Sequence, residues 1–266
     1  MSQCFTLYHI GSQNIKLMKK QITNNHLNKS PILLFLLFLL PIAGYSQLKG
    51  GLEDFKLLDI KIGYSIPVGN YASTGKNDFE SGYAKPGLAL GAGYYHMFRD
   101  VIGLGGSLGL NFHGYDAAAR QRAIYENDPT VTEAFVEGSR YTNLTLTVGP
   151  VINARLSENL SFLLHLEAGA MIAFRPEQEF SITNQQGTNS LSLESITGTS
   201  FAANFGIAFR YHATERTGFS LFADYFYGNP KYDYLTYQFP NWIEIKGNQD
   251  VMFINVGMSL TYIIGY

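Results

Sequence analysis

Leu58-Asp59-Ile60-Lys61-Ile62-Gly63-Tyr64-Ser65-Ile66-Pro67-Val68 alternates without a break, Leu58, Ile60, Ile62, Tyr64, Ile66 and Val68 on one side, Asp59, Lys61, Gly63 and Ser65 on the other. Successive side chains of a strand point to opposite faces, so this period of two predicts a β-strand with one apolar and one polar face. The pattern returns at residues 144–155, where Leu144, Leu146, Val148, Ile152 and Ala154 oppose Thr145, Thr147, Gly149, Asn153 and Arg155. It returns again at 162–174 and at 252–266, and in shorter form at 88–98, 102–112, 201–211 and 219–227. No Asp, Glu, Lys or Arg occupies the apolar phase of any of the eight segments, and beyond residue 46 no window shows the 3.6-residue period of a helix.

The connections carry a second signal, because they alternate in length. Short ones hold Arg99-Asp100, Ser157-Glu158-Asn159 and Thr214-Glu215-Arg216; long ones run through 69–85, 115–140, 175–198 and 228–250. Short periplasmic turns and long external loops are the habit of barrels in outer membranes, and segments of about eleven residues meet the ~9–11 that a tilted strand needs to cross hydrocarbon. The expected fold is all-β, an eight-stranded antiparallel up-and-down transmembrane β-barrel with both termini in the periplasm. A soluble β-sandwich or lipocalin shares the alternation, but its outward phase meets water and its open edges need protecting charges, which are missing here. Gly91, Gly93, Gly103, Gly105 and Gly109 fall in the inward phase, where a narrow barrel leaves little room. Phe98, Tyr211, Tyr262 and Tyr266 fall at the short-turn ends and Phe112, Phe174 and Tyr227 at the long-loop ends, as two interfacial girdles would.

Composition agrees. The 266 residues are 46% hydrophobic and 15% charged, with 19 basic against 21 acidic groups, which leaves no electrostatic footprint for nucleic acid. An aromatic content of 14% excludes disorder, and the single cysteine, Cys4, excludes a disulfide framework. The basic Met18-Lys19-Lys20, the apolar run from Ile32 to Leu40 and the small residues Gly44 and Ser46 before Gln47 read as a secretory signal peptide over 1–46. The start codon is then expected at Met18, and the barrel domain over 47–266. A membrane anchor is the competing reading, but the run is shorter than the ~18 residues of a spanning helix and is bounded by Pro31 and Pro41.

The stretch Gly63-Tyr64-Ser65-Ile66-Pro67-Val68-Gly69-Asn70-Tyr71-Ala72, followed by Glu80-Ser81-Gly82-Tyr83-Ala84-Lys85-Pro86-Gly87, resembles the outer-membrane β-barrel domain family common in Bacteroidetes-type bacteria. The resemblance covers essentially the whole chain after the signal. It implies the barrel fold and an outer-membrane location, and it brings no catalytic residues and no cofactor. The chain ending on Tyr266, in phase with Leu260, Tyr262 and Ile264, resembles the signal read by the barrel-assembly machinery.

Ionisable residues of the inward phase are Asp59, Lys61, Arg155, His165, Glu167, Arg210, His212 and Asp224. Arg155, His165, Glu167, Arg210 and Asp224 are expected to form a polar cluster in the lumen, where charges must pair or hydrogen-bond and thereby plug the channel. A His-Glu pair also suits a hydrolase, but no serine of the same phase stands beside His165 and Glu167. In the last long loop Tyr232, Tyr234, Tyr237, Phe239 and Trp242 offer surfaces to stack on a sugar or a partner protein, or else extend the barrel above the membrane. The second long loop, with Arg120, Arg122, Glu126, Asp128, Glu133 and Glu137, reads as a solvated surface. Three functions remain open: a non-enzymatic envelope barrel acting through its external loops, a small gated channel, and a lipid A-modifying enzyme. The expected partners are outer-membrane lipid and lipopolysaccharide and the assembly machinery, with a monomeric barrel and neither cofactor nor metal.

Overall fold

The computed structural model describes residues 54–74, 81–98, 101–185, 187–238 and 241–264, without the side chains of 191 and 234–246. The expected signal peptide over 1–46, Arg99-Asp100, Phe239 and Tyr266 lie outside the described residues. β1 (Phe55–Val68) runs into a single 3-10 turn at Gly69–Tyr71 and is followed by the short β2 (Ala84–Lys85), β3 (Gly87–Phe98) and β4 (Ile102–Tyr115). Helix α1 (Ala117–Asn127) and β5 (Val131–Gly138) precede β6 (Tyr141–Arg155) and β7 (Leu160–Arg175). β8 (Gln178–Asn184) and β9 (Gly187–Leu193) lead to β10 (Ile196–His212) and β11 (Thr217–Gly228). β12 (Lys231–Gln238) and β13 (Asn241–Asn248) precede the last strand, β14 (Val251–Ile264).

Eight of these strands, β1, β3, β4, β6, β7, β10, β11 and β14, close into an antiparallel up-and-down barrel. β14 returns to β1 in unbroken register from Lys56↔Ile264 to Val68↔Met252, so the wall has no free edge. Its surface is inside out. Ile60, Leu146 and Leu221 are 61%, 59% and 65% exposed on the outer face, while Asp59, Thr147 and Asp224 are 1%, 0% and 3% exposed within. Soluble proteins rarely show contiguous apolar patches beyond a few hundred square ångströms, and this one encircles the molecule. No helix among the described residues is long and apolar enough to cross a membrane, so any crossing falls to the strands. Phe98, Tyr211 and Tyr262 are exposed at the short-turn end of the belt and Phe174 and Tyr227 at the other.

The inward glycines make room for particular neighbours. A Cβ on Gly93 or Gly105 would strike the Tyr95 ring, which lies fully buried across the lumen. In the segment Gly82-Tyr83-Ala84-Lys85, Tyr83 adopts φ 52°, an uncommon conformation for a non-glycine residue. Its backbone is fixed by bonds to Ser73 O and from Asp116 N, and its ring by Tyr115 and the Arg120 guanidinium.

The long loops are more ordered than their sequence announces. β5, β8 and β9, from the second and third loops, form a separate three-stranded antiparallel sheet. α1 corrects the expectation of a helix-free chain: only Ala119 and Ala123 are buried, an apolar stripe one alanine wide that leaves no periodic signal. The readable cue is Asp116, whose side chain caps the helix by accepting from Ala119 N at 3.0 Å, followed by an alanine run of high helix propensity. Partial burial works against that carboxylate, but the Ala119 N–H and the Lys85 ammonium outweigh it and hold Asp116 below the usual carboxylate range. Arg120 is not a solvated charge. Its guanidinium lies 5.0 Å over the Tyr83 ring and 6.0 Å over Phe180.

Candidate functional site

The lumen is layered. Near the short-turn end Leu57, Tyr95, Met97, Leu163, Phe222 and Ile263 belong to one buried apolar cluster. Toward the long loops Tyr71, Tyr141, Met171, Phe226, Tyr232 and Phe253 belong to a second. Between them lies the ionised layer, whose geometry follows from strand register.

His165 on β7 and Asp224 on β11 both pair with Gly206 of the intervening β10. A Cβ on Gly206 would collide with both side chains; its absence lets them meet across the strand. His165 Nε2 is 3.1 Å from Asp224 Oδ1, and Lys61 Nζ donates to Asp224 Oδ2 at 2.8 Å. His165 Nδ1 lies 3.3 Å from Glu167 Oε1, at ion-pair distance but without hydrogen-bond alignment. Glu167 accepts from Thr147 Oγ1 (2.6 Å), Ser107 Oγ (2.9 Å) and Asn204 Nδ2 (3.0 Å). Nearby, Arg210 donates from Nη2 to Asp59 at 3.2 Å and from Nε to Thr261 Oγ1 at 3.0 Å. Lys61 and Arg210 are matched against Asp59, Glu167 and Asp224, and His165 faces a carboxylate from each ring nitrogen. Buried charges are tolerated when they are paired and hydrogen-bonded in this way.

The structure brings His165, Glu167 and Asp224 together, adds Lys61, and gives Arg210 a separate partner in Asp59. Arg155 departs from the expectation: it is exposed at the end of β6. Register is the reason. Val151, not Arg155, pairs with His165, and the offset of four positions carries Arg155 about 13 Å along the strand to the mouth beside the 156–159 turn. His212 bonds to Ser161 at 3.0 Å near the same mouth. Tyr232 is also corrected, since it is 1% exposed within the upper apolar cluster and offers no face to an external ligand. The backbones of Tyr234, Tyr237 and Trp242 lie in the β12–β13 hairpin, where Tyr237 pairs with Trp242; their side chains lie outside the described residues.

One chemically suggestive pair escaped the sequence. Ser65 Oγ lies 2.7 Å from His113 Nε2, with Tyr71 OH 3.2 Å and Asn143 Nδ2 3.3 Å from Nδ1, the layout of a nucleophile, a base and its orienters. The signal was present, since Ser65 and His113 both fall in the inward phase. Yet Ser65, Tyr71 and His113 are fully buried, with Phe253 5.2 Å from the imidazole and Tyr141 5.3 Å from Tyr71, so substrate has no approach to the hydroxyl. A cavity of about 20 Å³ between Lys61, Gly109, Phe222, Asp224 and Asn255 has room for about one water. Among the described residues no group of three His, Cys, Asp or Glu is arranged to hold a metal.

No family model matches the chain, and no curated protein matches it. Solved structures do. Ail, the attachment invasion locus protein of Yersinia pestis, is 16% identical over 80% of this chain and 99% of its own, with a TM-score of 0.39. The outer membrane protein OprG from Pseudomonas aeruginosa is 13% identical over 80% and 96%, with a TM-score of 0.43. The E. coli Outer Membrane Protein W is 13% identical over 78% and 96%, with a TM-score of 0.35. All three are outer-membrane proteins, and likeness at this level says nothing of activity.

Proposed function

We propose that the chain is a non-enzymatic integral outer-membrane protein whose closed barrel serves as a rigid stake in the envelope and whose four long loops meet partners outside the cell. The observation that carries this reading is the reversal of the usual burial pattern, apolar residues outside and paired charges within. Hydrocarbon solvates such a surface and water does not. An exported chain delivered to the assembly machinery by its last strand, with both ends in the periplasm, fits the even strand number. The loops, stiffened by α1, the β5–β8–β9 sheet and the β12–β13 hairpin, are the part shaped for recognition. The lumen has the makings of a plug: two apolar clusters and a layer of mutually paired charges leave no continuous aqueous path.

The test is electrical. Full-length refolded protein in planar bilayers is expected to give no stable open-channel conductance, and Glu167→Gln to remain silent as well. A steady wild-type conductance that changes in Glu167→Gln would overturn the plug and install the channel reading.

A further inference from the structure

The β5–β8–β9 sheet of the second and third loops has two unlike edges. Its register fixes which backbone groups reach each of them. Ser139 N donates to Glu177 O and Glu137 pairs with Glu179, so the odd-numbered residues of β8 bond toward β5 and the even-numbered ones toward β9. Thr183 O, turned the same way, accepts from Thr132 Oγ1 at 3.1 Å. On β5 the alternate residue Ala134 therefore points its N–H off the sheet, and that edge is covered: Tyr125 OH of α1 accepts from it at 2.8 Å. On β9 the partners of Gln178, Phe180 and Ile182 are Leu193, Leu191 and Asn189, which leaves the N–H and C=O groups of Thr188, Ser190 and Ser192 turned outward. Among the described residues no strand pairs with them. Natural sheets blunt a free edge with charges, proline or a bulge. The seven residues Gly187–Leu193 contain no charge and no proline, pair with β8 in unbroken register, and are exposed at Thr188, Asn189, Ser190 and Ser192.

The charge of a strand that fits this edge follows from the outer face of the sheet. Glu133, Phe135 and Glu137 of β5 and Glu179 of β8 are exposed on that face. Glu137 stands directly opposite Glu179, an unfavourable pairing of like charges. Thr188, Ser190 and Ser192 share the face, and Thr183 Oγ1 meets Thr188 Oγ1 across it at 2.9 Å. No lysine or arginine of the three strands lies on it. Nearby arginines are engaged elsewhere: Arg120 lies 6.0 Å over Phe180 on the opposite face, and Arg140 lies 4.8 Å over Phe112. A residue added opposite Ser192 would lie two strand spacings from Glu179, about 10 Å between Cα atoms, with only a serine between. A lysine or arginine reaching toward a glutamate closes that gap. A second copy of this chain, pairing through its own β9, would bring only Thr188, Ser190 and Ser192 to the face and no cation.

We propose that β9 is a strand-addition edge, at which an extended basic segment of a partner protein pairs with Thr188, Ser190 and Ser192 as the fourth strand of the sheet. Main-chain bonds hold the segment, and its alternate lysine or arginine side chains lie over Ser192 toward Glu179. The proposal rests on the reading of the long loops as the recognition end of the barrel.

Fluorescence anisotropy of the full-length barrel, refolded in non-ionic detergent, tests this with labelled synthetic peptides of seven residues, the length of β9. The probes are alternating lysine and valine, alternating glutamate and valine, and the same lysines and valines gathered into two blocks. The alternating lysine peptide is expected to bind, and the other two to bind about tenfold more weakly or worse. Methylating one alternate set of its backbone nitrogens is expected to abolish binding and methylating the other set to spare it, because an added strand offers β9 only every second N–H. Ser190→Pro removes an outward N–H without breaking the ladder to β8 and is expected to weaken binding about tenfold, and Glu179→Gln about threefold. Equal binding of the three peptides, equal effects of the two methylations, or wild-type affinity in Ser190→Pro would overturn the edge, and wild-type affinity in Glu179→Gln would overturn the basic character of its partner. A wild-type dimer that Ser190→Pro dissolves would give the edge to a second copy and overturn the proposal as well. Insertion into phosphatidylcholine vesicles is read alongside. Failure to insert overturns the membrane reading while the detergent titration still decides the edge, whereas insertion with no preference among the peptides overturns the edge alone.

Discussion

Asp224→Ala is expected to destabilise the folded barrel by about 3–5 kcal/mol, the cost of leaving buried charge without its partner. Asp224 is the junction of the ionic layer: Oδ2 accepts from Lys61 at 2.8 Å and Oδ1 faces His165 Nε2 at 3.1 Å. Alanine leaves the Lys61 ammonium over the Phe222 ring without the carboxylate it bonds to and removes one negative charge from the layer. The Coulomb energy lost is large because, beyond the single water the adjoining cavity has room for, little solvent screens it at this depth. Adding Lys61→Met to the alanine variant removes the orphaned cation and is expected to recover more than half of the loss, since apolar replacement of a whole buried pair is often neutral. Urea unfolding of the protein refolded in vesicles measures both. An alanine variant within about 0.5 kcal/mol of wild type would mean that the layer is hydrated and that the lumen is not closed.

Leu146→Arg is expected to cost about 2–4 kcal/mol and to block assembly, the penalty for a cation near the middle of the hydrocarbon on a lipid-facing barrel strand. Leu146 is 59% exposed and lies between Leu108 of β4 and Ala170 of β7, well inside the two aromatic rims. In a barrel surrounded by water the same change would remove an exposed apolar group and would stabilise or do nothing. The two surroundings therefore predict opposite signs. Folded and unfolded bands on a cold gel, with urea titration of whatever folds, give the sign. The neighbouring Thr145 is 1% exposed in a filled lumen, so an arginine there tests overpacking rather than membrane placement.

The wall was legible because membrane strands must keep one phase apolar from end to end, and residues 58–68 do so without a break. Closure followed from the alternation of short and long connections. The partners inside the lumen were not legible, although their phase was. Lys61 and Asp224 are 163 residues apart, Asp59 and Arg210 are 151 apart, and which inward residues face each other across a barrel depends on stagger, to which a period of two is blind. Arg155 shows the cost of that blindness. Its phase points inward, but four residues of register carry it from the ionic layer to the mouth. Tyr232 shows a second limit, since a loop tyrosine reads as available until the cluster that buries it is seen. Gly206 carries the reverse lesson. In sequence it is one more glycine in a glycine-rich chain, and in the barrel it is the opening through which His165 and Asp224 meet.

Spin labels placed one at a time along β6 test the inside-out membrane barrel most directly, in a chain with Cys4 replaced by Ser and reconstituted in lipid. At Leu144, Leu146, Val148 and Ile152 the predicted result is high accessibility to oxygen, which concentrates in hydrocarbon, and low accessibility to a water-soluble nickel complex. At Thr145, Thr147 and Val151, which face the packed lumen, both are predicted to be low. Nickel reaching the outward positions as readily as oxygen would place them in water and contradict the membrane barrel; nickel reaching the inward ones would contradict its closure.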